Sequence, residues 1–122
     1  MAYKKRESFQ SRIDSIDEET KKYYNELVEK LLTYKKLKAR VSLRCISFRQ
    51  GRKLMAKISL GGKTLKLYLA IDPEKVELQE GKYHPRDLSD TKAYEEVPTM
   101  LPIRSELAVR KAGQVIDMMM RG

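Results

Sequence analysis

Between Lys35 and Ile71 the chain carries eleven lysines and arginines and no acid, and its apolar residues alternate with polar ones. Alternation at period two is the signature of strands with one buried face. Two glycine turn signals, Gln50-Gly51 and Gly61-Gly62, divide the stretch into three such runs. The expectation is a three-stranded antiparallel meander with one apolar face and one basic face.

Gly61-Gly62 reads as a two-residue hairpin turn, because both central residues accept positive φ. It sets Leu60 opposite Lys63, Ile58 opposite Leu65, Ala56 opposite Leu67 and Leu54 opposite Leu69. The other face then pairs Ser59 with Thr64, Lys57 with Lys66 and Met55 with Tyr68. A turn at Gln50-Gly51 places Val41, Leu43 and Cys45 beside Leu60, Ile58 and Ala56, so the apolar set falls on one face in all three strands. The outer rows become Arg44, Lys57, Lys66; then Ile46, Met55, Tyr68; then Ser42, Ser59, Thr64.

Like charges opposed across a sheet repel by a few tenths of a kcal/mol or more. A cationic row therefore calls for water, acids or an anionic ligand. Beside an apolar-aromatic row it resembles a nucleic-acid surface, with charge for phosphates and a ring for stacking. The candidate phosphate contacts are Arg40, Arg44, Arg52, Lys53, Lys57 and Lys66, with Tyr68 as the ring. The competing reading is that Ile46, Met55 and Tyr68 bury against a helix, a protein partner or a second copy, as in a scaffold module.

The rest of the chain frames this meander as one domain, 1–122, with residues 1–12 polar, basic and expected to be flexible. Phe9, Ile13 and Ile16 have the spacing of a short helix. Ser15 or Asp17 can cap a second one over about 17–36, whose last turn carries Lys35, Lys36 and Lys38. Asp72-Pro73 ends the third strand, and a long polar connection over 73–96 contains a single helical turn through Tyr94. Val97–Arg104 is a fourth strand, confined to an edge by Pro98 and Pro102. Ser105 caps a final helix with Leu107, Ala108, Ala112, Val115, Ile116 and Met119 on its apolar side, Met118–Met120 serving as core filler. The fold class is α+β: an N-terminal helix, the meander with its edge strand, and a C-terminal helix packed on the sheet.

A net charge of +9 over 122 residues favours an anionic partner, DNA or RNA first. Cys45 is the single cysteine, which rules out an intrachain disulfide and suits a reducing cytoplasm. No apolar run follows the basic N-terminus, and none reaches the ~18 residues of a membrane span. One cysteine and one histidine, His84, do not make a zinc site.

The segments SFQSRID, DEETKKYYNEL, LLTYKKLKARVS, SFRQGRKLMAKISLGGKTLKLYLAIDP and KYHPRDLSDTKAYEEVP, closed by Arg104-Ser105 and a helix, resemble an uncharacterised Firmicutes domain that occurs singly or in tandem. Its most specific block is the GRK…AK…GKTL.LYLALDP type, with Ile71 here in a leucine place. Leu43 and Arg44 stand where that family often has an aromatic and a lysine. More distantly, the element order is similar to an α+β domain of restriction-associated and predicted transport-associated bacterial proteins. The resemblance implies an α+β fold and a bacterial cytoplasmic setting, and brings no catalytic residue.

Gly61-Gly62-Lys63-Thr64 resembles the tail of a phosphate loop but lacks the preceding glycines and the following helix, so it reads as a hairpin turn. His84, Asp87, Ser89 and Asp90 lie close in sequence, but nothing gathers them into a pocket. No catalytic residue, metal site or cofactor is assigned, and the chain does not read as an enzyme. The leading expectation is a nucleic-acid-binding module with little sequence preference; the alternative is a protein-interaction or self-associating scaffold.

Overall fold

Among the described residues, a side chain opens each α-helix. In the computed structural model, which describes residues 8–62, 64–72, 86–88 and 91–121, Ser8 Oγ accepts from Ser11 N at 3.1 Å and starts α1, Phe9–Ser15. Asp17 accepts from Thr20 N at 3.0 Å and starts α2, Glu18–Leu32; of the two candidate caps it is Asp17 that serves. Ser105 Oγ accepts from Ala108 N at 3.1 Å at the head of α3, Glu106–Arg121. Each side-chain oxygen satisfies a backbone donor that the first turn leaves open.

Phe9–Arg12, expected to be flexible, are helical, because Phe9 is fully buried and packs edge-on against Tyr24 with centroids 5.8 Å apart. α2 stops at Leu32, four residues short of the expected end. Tyr34 N bonds back to Leu31 O and Leu37 N to Tyr34 O, a tightening that drops Leu37 into the core. Lys38 therefore begins a strand instead of closing a helix.

Among the described residues six antiparallel strands follow: β1 Lys38–Val41, β2 Cys45–Gln50, β3 Lys53–Gly61, β4 Thr64–Leu69, β5 Arg86–Asp87 and β6 Thr99–Ile103. They lie in the order β1-β2-β3-β4-β6-β5, so the sheet has two more strands than expected. β6 is flanked on both sides where it was expected at an edge. Leu88 N donates to Pro98 O, so the even-numbered backbone groups of β6 face β5. Among the described residues, Pro102 lies beyond the pairing of β5 and interrupts no ladder.

Both hairpins turn one residue later than expected, which moves each cross-strand partner by two. Gln50 pairs with Lys53 and Gly61 with Thr64, with Gly51 and Gly62 each at φ +64°. A shift of two preserves side-chain faces, so β3 and β4 keep the expected partition after Ala56. β2 does not, because a bulge interrupts its pairing with β3. Phe48 pairs with Ala56 and Arg49 with Leu54, leaving Met55 as the extra residue. Ile46 and Phe48 are thereby turned inward, paired with Ile58 and Ala56, and Met55 joins them in the core. Cys45, expected inward, is buried but pairs with Ser59 on the other face. Leu43 lies in the β1–β2 connection, exposed.

One face of the sheet carries the main core. Ile46, Phe48, Ile58, Leu65, Leu67, Leu69 and Ile103 pack there against Phe9, Leu27, Leu31, Val115, Ile116 and Met119. Full burial of such side chains stabilises by about 1.5–3 kcal/mol each before chain entropy is charged against it. Leu107, expected on the apolar side of α3, is exposed. The other face carries a smaller cluster of Tyr68, Val97 and Met100, with Leu54, Leu88 and Tyr94 around it. Among the described residues no helix is long and apolar enough to cross a membrane.

Candidate nucleic-acid interface

The six strands hold seven cations, Lys38, Arg40, Arg49, Lys53, Lys57, Lys66 and Arg86, and a single acid, Asp87. The register sends six of the cations to the face opposite α1, α2 and α3. One row crosses the whole sheet there: Arg40, Ser47, Lys57, Tyr68, Met100 and Arg86. A neighbouring row is Cys45, Ser59 and Lys66, and on the other side Lys38 pairs with Arg49. Among the described residues the ion pairs are Lys22–Glu106 and Lys30–Asp117, and neither involves this face.

The face is only partly open. A single turn of 3-10 helix, Lys92–Tyr94, lays the Tyr94 ring on Tyr68 with centroids 4.7 Å apart and planes 2° apart. Tyr68 is 5% exposed as a result, and its hydroxyl is pushed above its ordinary pKa, chiefly by burial and next by the Tyr94 hydroxyl. Lys57 Nζ stands 5.8 Å from the centroid of the Tyr94 ring, a cation–π distance. The open portion lies over β1, β2 and the near half of β3, where Lys38, Arg40 and Arg49 are exposed. Lys66 lies across Gly61, whose missing side chain leaves room for the lysine stem.

Of the candidate residues, Arg40, Lys57, Lys66 and Tyr68 share this face. Arg44 is exposed in the β1–β2 connection, outside the strands. Arg52 and Lys53 are elsewhere: they line an open cleft of about 630 Å³ with Asp72, Glu95 and Glu96, where acids stand beside the bases. The expected apolar row of Ile46, Met55 and Tyr68 does not reach the surface. The bulge takes the first two into the core, and Tyr94 covers the third.

Lys38, Arg49 and Arg86 belong to the face although the expected register did not select them. Strand alternation with Arg40 and Ser47 could have found Lys38 and Arg49. Nothing local points to Arg86 or Tyr94, which reach the face through a connection distant in sequence. Of the residues weighed for chemistry, His84, Ser89 and Asp90, like Lys63, lie outside the described residues. Among the described residues no three His, Cys, Asp or Glu side chains gather around a point that could hold a metal ion.

This arrangement offers an oligoanion several ammonium and guanidinium groups on one side of a sheet, beside a partly exposed ring. No family model, no curated protein and no solved structure matches the chain.

Proposed function

We propose that the chain is a small nucleic-acid-binding module that holds the sugar-phosphate backbone, with little sequence preference, on the sheet face opposite α1, α2 and α3. The observation that carries this reading is the row Arg40–Ser47–Lys57–Tyr68–Met100–Arg86, with Lys38, Arg49 and Lys66 beside it and no acid at a strand position of that face. Phosphates supply affinity without reading bases, and such binding weakens steeply with salt. A bacterial cytoplasmic setting, as the sequence resemblance implies, belongs to the same reading.

The scaffold alternative rested on an apolar outer row, and that row is not at the surface. Among the described residues, the exposed edge strand β1 offers one place for a second copy to pair. Two copies joined there would set Lys38 and Arg40 against each other, a repulsive arrangement.

Fluorescence anisotropy with labelled DNA and RNA oligomers tests the proposal. Four phosphate contacts predict roughly hundredfold weaker binding at 200 mM than at 50 mM salt. Lys57→Glu combined with Lys66→Glu is expected to remove most of the affinity. Absence of binding at 50 mM salt, or indifference to those two reversals, would sink the proposal.

A further inference from the structure

We infer that the occupant of this face is a single strand, with phosphates on Lys57 and its neighbouring cations and one unpaired base on the Tyr94 ring. This inference rests on the phosphate-binding reading and narrows it. Along the sheet-wide row the ring lies between two cations: Lys57 on β3, Tyr68 on β4 capped by Tyr94, Met100 on β6, then Arg86 on β5. A single strand presents phosphates and bases in alternation and can satisfy both kinds of group. A duplex keeps its bases paired and stacked inside, so it would use the cations and leave the ring without a partner.

The shape of the face points the same way. α1, α2 and α3 all pack on the opposite side of the sheet. Among the described residues, the helical element on this side is the three-residue turn Lys92–Tyr94. That is too short to enter a major groove about 12 Å wide and 8.5 Å deep as a recognition helix does. A sheet carrying a ring favours a strand laid across it. Tyr68 braces Tyr94 from beneath in a parallel stack, so the platform exists before a ligand arrives and little side-chain freedom is lost on binding. Lys57 Nζ, 5.8 Å from the ring centroid, brings a bound phosphate within reach of the nucleotide whose base meets the ring.

The experiment compares three labelled probes of equal phosphate number at 50 mM salt: a single-stranded 12-mer, a blunt duplex, and a single strand whose central nucleotides lack bases. RNA and DNA versions of the first probe separate the two sugars. The wild-type chain is expected to bind the base-bearing single strand at least about fivefold more tightly than the abasic one, the lower limit for one stacked base. It is expected to prefer that strand to the duplex as well. Tyr94→Leu should abolish the first difference without altering the salt dependence, and Tyr94→Phe should preserve it, since the ring and not the hydroxyl is needed. The abasic comparison needs only wild-type protein, so a poorly folded variant cannot decide the matter. Equal binding of abasic and base-bearing strands, or a preference for duplex, overturns this inference and leaves phosphate binding standing. Failure to bind any of the three overturns both.

Discussion

The Tyr34 hydroxyl donates a hydrogen bond to the Asp117 carboxylate, and Lys30 Nζ reaches the same carboxylate at 2.9 Å. One acid of α3 thus fastens both the last turn of α2 and the residue where the chain leaves it. The bond from Tyr34, with Lys30 behind it, holds the Asp117 carboxyl below its ordinary value. The same bond raises the Tyr34 phenol. The clamp stands at the rim of the core, so it orients two helices whose buried faces supply most of the stabilisation.

Asp117→Asn is expected to cost about 1 kcal/mol at pH 7, since the clamp is half-exposed and solvent screens it. The melting temperature should fall by about 3–5 °C. The pH dependence follows from the direction of the shift. Protonation is harder in the folded chain than in the unfolded one, so the contribution is complete above the unfolded carboxyl value, near pH 4. It is lost as pH falls through the lower folded value. Thermal melts of wild type and variant at pH 7, 5 and 3 check this. The gap should persist at pH 5 and narrow by pH 3, and a constant gap would assign the loss to something other than the ionised carboxylate.

Much of this fold is legible in the chain, and the errors have identifiable physical sources. The α+β class, the cap at Ser105, Asp17 as one of two candidate caps, and the two-faced meander all follow from local chemistry, whereas strands β1 and β5 do not. Each hairpin begins its turn one residue later than expected, at Gly51 and Gly62, which shifts the pairing by two and leaves faces intact. The bulge is different, because one extra residue inverts every face beyond it. Its trace is the run Leu54-Met55-Ala56, three apolar residues in succession where strict alternation allows one in two. The stacking of Tyr94 on Tyr68 leaves no such trace, since it depends on where a long connection returns to the sheet. The site is therefore half legible: its cations belong to strands and follow the period, whereas its ring arrives from outside them.

The register itself can be checked by cross-linking. Cys45 pairs directly with Ser59 across β2 and β3. Directly opposed residues of antiparallel strands have Cα atoms about 4.5–5.5 Å apart, within the range a disulfide spans. Ser59→Cys should form an intrachain disulfide with Cys45 under mild oxidation, seen by mass spectrometry of non-reduced fragments. Ala56→Cys should not, because Ala56 faces the core opposite Phe48. The reverse outcome would restore the expected pairing of Cys45 with Ala56, with the turn at Gln50-Gly51 and no bulge.

Two pairs of charge reversals separate the effect of overall charge from the effect of the face. Arg52→Glu with Lys53→Glu and Lys57→Glu with Lys66→Glu change the net charge equally. If the +9 charge alone attracts nucleic acid, both pairs should weaken binding to the same degree. The register separates them. Lys57 and Lys66 stand on the sheet face opposite the α-helices α1, α2 and α3, whereas Arg52 and Lys53 line a cleft beside Glu95 and Glu96. At 50 mM salt the Lys57 and Lys66 pair should lose at least about tenfold in affinity and lower the salt slope by about two, one for each phosphate contact removed. The Arg52 and Lys53 pair should lose less than about threefold and keep the slope, since its charges act only at a distance and are screened within about 10 Å. Equal losses would mean that binding follows diffuse charge, and the face would then have no privileged role.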